Sequence, residues 1–391
     1  MSAGGVFWKP VPGLAAMATA GLVLALQLHA GSANGGRASG PDEAEAARRG
    51  RDVFLYACVN CHGAEGRGAS RSVVGFDLPL PDFTDPDFTK REPDNDWEAI
   101  IHMGGPVRGF SELMPAFGEV LTEEEIRQAV SYLRSFSVDN AWPRGELNFP
   151  RALVTEKAFP EDELIFAASA GDGFDTLAGQ VFYEQRFGAR NQYEILVPFG
   201  WSRVAAEGPE SGTDWVSSLG DAAVAVKRAF YHSLRRGSIL SAGAELIVPT
   251  GNEAAGFGKG TFVFEPFILF GQAFPAEAFF QGQAGVELPF QRAKAASEAY
   301  LRLVFGKSFV SGRWGRVWSP MVELLTAREI VSGGETSWDV VPQVQVTLNK
   351  RRSVMFNIGA RIPLNETSAR KVELMAYVLW DWFDGGFLEG W

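Results

Sequence analysis

The chain divides into two parts of different fold class: a small all-α domain, then an antiparallel transmembrane β-barrel of about 12 strands. Three observations predict this. The only two cysteines in 391 residues are Cys58 and Cys61, and His62 follows them directly. Further on, Thr122-Glu123-Glu124-Glu125 opens an apolar helical repeat. From about Leu164 to Trp382, apolar and polar residues alternate with a period of two, and no helix-period segment stands out.

Residues 1–33 read as a secretory signal peptide. Lys9 gives a positive start, Leu14 to Leu28 is an apolar core rich in Ala and Gly, and small residues offer cleavage after Ala30 or Ala33. A transmembrane anchor is the other reading of this run, which is short for a span. Residues 34–42 then form a flexible mature N-terminus.

The spacing Cys58-Val59-Asn60-Cys61-His62 is that of c-type haem attachment. Two thiols form thioethers with the haem vinyls, and the adjacent imidazole turns onto the iron as proximal ligand. A redox dithiol or half of a zinc site fits Cys-x-x-Cys alone, but neither uses His62. His29, His102 and His232 are too scattered to complete four zinc ligands. One covalently bound haem c is therefore the expected cofactor. Met114, in Leu113-Met114-Pro115-Ala116-Phe117-Gly118, is the candidate sixth ligand, with Met103 and His102 as rivals. Asp42 to Tyr56 is helix-forming, with Ala46, Gly50, Val53 and Phe54 on one face. Thr122 caps a closing helix to Phe136 whose apolar set is Ile126, Val130 and Leu133.

Taken together, residues 43–138 resemble a class I monohaem cytochrome c domain. The resemblance rests on Cys58, Cys61, His62, Gly63, the arm from Met114 to Gly118, and the acid-capped helix through Tyr132-Leu133. It implies one covalent haem, His62 and Met114 as axial ligands of the iron, and electron transfer in place of bond-making chemistry.

Residues 139–162 contain Pro143, Pro150 and Pro160 and read as an extended linker. Residues 163–391 then supply the barrel. Leu240, Ala242, Ala244, Leu246 and Val248 lie opposite Ser241, Gly243 and Glu245. Val340, Pro342, Val344, Val346 and Leu348 lie opposite Asp339, Gln343, Gln345 and Thr347. A soluble β-sandwich would bury the apolar face. The exported leader, the long strands and aromatics near strand ends (Trp201, Trp215, Tyr231, Trp314, Trp318, Trp380, Trp382) favour a barrel that turns this face to outer-membrane lipid. The chain ends on an aromatic, Trp391, with Glu389 and Asp384-Gly385-Gly386 interrupting the final strand pattern.

Gly220 to Lys227 and Leu246 to Gly251 resemble segments of the outer-membrane transporter family associated with phenol-degradation operons. That resemblance implies the barrel fold and small organic molecules as substrates. Cytochrome first and barrel second, the whole chain is similar to fused cytochrome-porins that oxidise extracellular ferrous iron. It departs from them in lacking an aromatic and basic run before the haem motif and in its longer cytochrome domain.

A net charge of −11 argues against a nucleic-acid partner. The expected lumen mixes signs, with Glu184, Glu194, Glu245, Glu265, Glu287, Glu323 and Glu373 outnumbering Arg186, Arg302 and Arg361. Such a lining is either a path for cations or a set of paired charges that fills the barrel. A barrel of this size cannot enclose a domain of about 100 residues, so the cytochrome is expected at one mouth, and the position of the barrel termini makes that mouth periplasmic. The expected function is carriage of electrons through one haem. The donor reaches it by way of the barrel, as ferrous iron or another small-molecule or metal-ion reductant, and the acceptor is a soluble periplasmic electron carrier. Oxidation of a metal ion is the enzymatic form this would take. The alternatives are an outer-membrane transporter of small solutes and a barrel that only anchors a periplasmic cytochrome.

Overall fold

The computed structural model describes residues 41–137, 139–205, 213–368 and 370–382. The expected signal peptide with both cleavage positions, residues 34–40, and the chain end at Glu389 and Trp391 lie outside the described residues.

The helical part starts with α1 (Pro41–Val53), a wide π-type turn (Phe54–Cys58) and α2 (Val59–His62). It continues with α3 (Arg71–Val74), α4 (Pro86–Arg91), α5 (Asp94–Met103) and α6 (Glu123–Ser135). Local chemistry fixes the helix starts. Asp85 accepts the Asp87 N–H at 2.9 Å ahead of Pro86 in the first turn of α4. At α6 the expected capping box is complete: Glu125 N–H donates to Thr122 Oγ1 at 3.2 Å, and Thr122 N–H donates to Glu125 Oε2 at 2.8 Å. α1 crosses α6 at Gly50, where an added Cβ would sit 2.1 Å from the Gln128 carbonyl oxygen. The core beneath gathers Val53, Phe54, Phe83, Trp97, Ile126 and Leu133. Each such side chain contributes roughly 1.5–3 kcal/mol of burial.

The second part runs β1 (Glu163–Ala170), β2 (Thr176–Phe187), β3 (Asn191–Ala205) and β4, which is broken into Thr213–Leu219 and Ala222–Ser233. Next come β5 (Ser238–Val248), β6 (Val263–Phe274), β7 (Ala278–Pro289) and β8, where Phe309–Val310 extends Glu298–Lys307. Last are β9 (Val317–Glu329), β10 (Thr336–Thr347), β11 (Val354–Pro363) and β12 (Glu373–Asp381). Among the described residues these are 12 strands, each antiparallel to the next. β12 returns to β1 in register from Glu163↔Asp381 to Ala170↔Leu374, so the sheet closes.

The alternation sorts the faces as the sequence implies. Ser241 and Glu323 are fully buried inside, whereas Leu240 and Val322 point outward. Every strand exposes at least one large apolar residue, for example Phe166, Val226, Ile268, Phe305, Ile358 and Val378. A closed barrel with a continuous apolar exterior is one of the two ways to span a bilayer with every backbone group paired. None of the helices among the described residues is long and apolar enough to cross a membrane. With its closed sheet and outward apolar residues, the barrel has the architecture of a membrane-spanning β-barrel.

Two girdle residues differ from expectation. Trp201, Trp215 and Trp318 are exposed at the barrel ends, but Trp382 is buried, stacked 5.8 Å from the ring of Tyr183. Trp314 turns from the β8–β9 connection to within 6.0 Å of the His102 ring. Position near a strand end does not say which way a ring faces, and here packing partners decide.

The largest departure concerns the stretch between the two parts. Expected as an extended linker, it carries a 3-10 turn at Gly145–Leu147 and several bends, and its second half is threaded into the barrel. Phe149, Ala152, Ala158 and Phe159 are buried in a cluster with Ile239, Phe267, Leu269, Phe279 and Met321 of the barrel wall. Residues 148–162 form neither helix nor strand, so their peptide groups need side-chain partners. The inward polar residues supply them. Glu323 accepts the N–H groups of Val154 and Thr155 and the Thr155 hydroxyl at 2.6–3.1 Å. Gln343 accepts from Leu153 N–H, Gln283 from Glu156 N–H and Gln192 from Glu161 N–H. Going the other way, Gln281 donates to the Pro150 carbonyl, Tyr377 to that of Arg151 and Ser241 to that of Ala158. Arg151 pairs with Glu184 at 2.5 Å, and Lys157 bridges Glu161 and Glu163, each at 2.5 Å.

Candidate haem site and its seat on the barrel

Cys58 closes the π-type turn, and Cys61 and His62 lie on α2. Upstream, buried Phe54 pins this stretch to α6, 5.4 Å from the rings of both Tyr132 and Phe136. Downstream, Gly63 adopts φ +69°, donating to Val59 O at 2.8 Å and reversing the chain. Gly68 N–H then reaches His62 O at 2.9 Å, and Ala69 N–H reaches Cys61 O at 2.7 Å. The three motif side chains are thus held by backbone on both sides.

Both cysteines are half-buried and form no disulfide with one another. Burial, and after it the neighbouring Cys61, pushes the Cys58 thiol up to about 11, so it stays protonated at neutral pH. Burial pushes His62 down to about 4, leaving the imidazole neutral. Its ring lies 5.0 Å from that of Phe83, and its Nδ1 is buried without a hydrogen-bond partner.

The three candidates for the opposite ligand separate by position. Met114 is half-buried and packs, with Cys58, Val59 and Phe117, on the buried core. Its arm is tied to the end of α5: Gly105 N–H donates to Met114 O at 3.0 Å, Phe117 N–H to Ile101 O at 2.9 Å, and Gly118 N–H to His102 O at 3.0 Å. Gly104, at φ +79°, allows this approach, since a Cβ there would stand 2.8 Å from Met114 O. Met103 is 49% exposed at the end of α5. His102 turns away toward the barrel, with Nε2 3.5 Å from Arg313 NH1. Two thiols, a neutral imidazole with an orphaned Nδ1, and a thioether on one core form a donor set that fits haem c.

The domain sits on the mouth that carries both barrel termini and the short connections 188–190, 234–237 and 275–277. Arginines of this rim reach into it. Asp96 on α5 accepts from Arg108 Nε at 2.7 Å and from Arg352 NH1 at 2.9 Å. Arg108 NH1 donates to the Trp314 carbonyl at 2.9 Å, Arg313 pairs with Glu123 at 2.8 Å, and Arg351 lies 4.6 Å over the Phe110 ring. Arg91 on α4 pairs with Asp162 just before β1. A position at the mouth carrying the barrel termini was expected from the sequence, but the contacts that make this seat were not. The pair Arg351-Arg352 in a short turn is its local trace, since nothing in a solvated turn requires two arginines.

The lumen acids foreseen at Glu184 and Glu323 are thus ligands of the threaded segment, which favours filling over a free path for cations in this half of the barrel.

Residues 45–133 match the family model described as cytochrome c oxidase, cbb3-type, subunit III. Among solved structures, an outer membrane channel from Pseudomonas putida F1 is 13% identical, with 59% of this chain and 98% of that one covered at a TM-score of 0.41. A KdgM porin in complex with disordered oligogalacturonate is 9% identical, covering 56% and 98% at 0.37. A NanC porin is 7% identical, covering 56% and 98% at 0.38. Residues 45–133 thus match a cytochrome c family model, and the same chain continues into a closed 12-strand antiparallel β-barrel.

Proposed function

We propose that the protein is an outer-membrane cytochrome-porin that carries electrons through one haem c, between a donor arriving on the barrel side and a soluble periplasmic carrier. Cys58 and Cys61 hold the haem covalently, and His62 and Met114 ligate its iron. Haem bound there supplies a one-electron couple, and a thioether ligand favours the reduced iron relative to bis-His ligation. The protein's residues do the rest. Burial keeps His62 neutral and able to ligate, and the bonds from Gly105, Phe117 and Gly118 hold the Met114 arm against α5. Ferrous iron is the donor class suggested by the resemblance to iron-oxidising fusions. The cytochrome's mouth is assigned to the periplasm, because in barrels of this type the short connections lie on that side.

The observation that carries this reading is the seat itself. A cytochrome that needed only tethering would be served by a flexible linker. Here Asp96, His102 and Glu123, all flanking the Met114 arm, are engaged by the barrel rim. A second reading is favoured by a different observation: residues 148–162 stand in the lumen, so a small donor has no straight path to the haem. In that reading the barrel anchors a periplasmic cytochrome and provides no route across the membrane.

One experiment separates them. Purified protein is placed in liposomes with the haem domain enclosed, its orientation checked by protease, and ferrous iron or another impermeant reductant is added outside. Rapid reduction in intact vesicles supports the transmembrane route. Reduction only after lysis sinks it and leaves the anchored cytochrome.

A further inference from the structure

We infer that residues 148–162 are a resident plug that closes the barrel to solutes and ions, so that the barrel is not a pore. The inference does not depend on haem ligation.

Three features carry it. The first is depth. Glu323, which holds the backbone of Val154 and Thr155, lies six positions along β9 from Val317 at the seated mouth. At about 3.3 Å per residue and about 40° of tilt this is roughly 15 Å, more than half of an apolar band of about 25 Å. The chain returns from there to start β1 at Glu163, so two passes of backbone fill the inner half. Eight strands leave an interior that side chains fill and sixteen leave an aqueous channel, so in a barrel of 12 two passes of backbone take up much of the lumen.

The second is complementarity. The buried amides of Gln192, Gln281 and Gln283, at most 2% exposed, point inward and find main-chain partners in this segment. Buried polar groups left unpaired are costly, and a water-filled lumen would not need amides matched to peptide groups. The third is the apolar seal. Phe149 stacks on Phe279 at 5.7 Å and 11°, and Phe159 is fully buried. Polar porin lumens have no use for such a cluster.

The test is conductance of the full-length protein in planar lipid bilayers. Wild type should give only leak current. Replacement of residues 150–158 by a Gly-Ser chain of equal length should give discrete openings about tenfold or more above the leak, as expected of an emptied lumen. Should that variant fail to assemble, Glu323→Ala, which removes the acceptor of three donors of the plug, should give intermittent openings. Steady open-channel current in wild type overturns the inference. So does an assembled variant of either kind that stays closed, because the closure would then lie elsewhere. A lumen closed to ions also excludes passage of a small donor to the haem mouth, so a closed wild type that still shows rapid haem reduction in intact vesicles would require electron transfer across the plug, and the two assays together separate these outcomes.

Discussion

Asp96→Ala should unseat and destabilise the cytochrome domain. In the structure one carboxylate oxygen, Oδ1, serves Arg108 through Nε at 2.7 Å and NH2 at 2.6 Å, and Arg352 through NH1 at 2.9 Å. Arg108 is 3% exposed, so removing Asp96 leaves a buried guanidinium without its counter-charge. Breaking a buried pair in this way costs about 3–5 kcal/mol. The lower end applies, because Arg108 keeps the Trp314 carbonyl at 2.9 Å and Arg352 keeps that of Gly315 at 2.8 Å. With a urea slope of about 1 kcal/mol per M for a small domain, about 3 kcal/mol lowers the midpoint by about 2–3 M. The assay is a urea titration of the full-length protein in detergent, following the helical circular-dichroism band, which the barrel scarcely contributes to. A cycle with Arg352→Ala isolates the part due to the seat, expected as a coupling of about 1–3 kcal/mol. A midpoint within about 0.3 M of wild type would show that Asp96 is not the keystone, whatever the distances.

Met114→Ala should keep covalent haem but change its absorption spectrum and lower its potential; an unaltered spectrum and potential would remove Met114 from the iron. Cys58→Ser or Cys61→Ser should impair covalent attachment, read by haem staining of denaturing gels; full staining of either variant would contradict two thioethers. Gly50→Val should cost about 1–3 kcal/mol of domain stability by prising α1 from α6, where even a Cβ meets the Gln128 carbonyl at 2.1 Å; an unchanged urea midpoint would mean the helices adjust freely.

What was legible in the sequence was local. The capping box needs only Thr122 and Glu125, and the haem motif needs only five consecutive residues. The barrel faces follow from a period of two, which is why Ser241 and Leu240 could be assigned to opposite sides without a partner in view. What was hidden joins residues far apart. Thr155 meets Glu323 across 168 positions, and Asp96 meets Arg352 across 256. Proline made residues 139–162 look like an extended spacer, whereas they turn at Gly145–Leu147 and bend back within the barrel. The overlooked signal was Phe149 and Phe159 beside Arg151 and Lys157, since a solvated linker gains nothing from large aromatic rings or charges needing burial. Trp314 and Trp382 misled for a related reason, because periodicity says nothing about connections between strands.

Plug and seat share one clasp. Lys90 Nζ donates to the Ser137 carbonyl at 2.6 Å, and its neighbour Arg91 pairs with Asp162, so adjacent residues of α4 grip the stretch just before it enters the barrel and just after it returns. The plug therefore cannot withdraw far while α4 stays seated, and the free energy that holds the domain on the rim also holds the lumen closed. Loosening one should loosen the other. Asp96→Ala, which touches no plug residue, should then raise the frequency of channel openings in planar bilayers, and combination with Glu323→Ala should raise it by more than the product of the two single effects. A protein whose seat is weakened by about 3 kcal/mol in urea, yet whose lumen leaks no more than wild type, would show that the barrel wall alone retains the plug. The clasp on α4 would then be a consequence of docking and not a cause of closure.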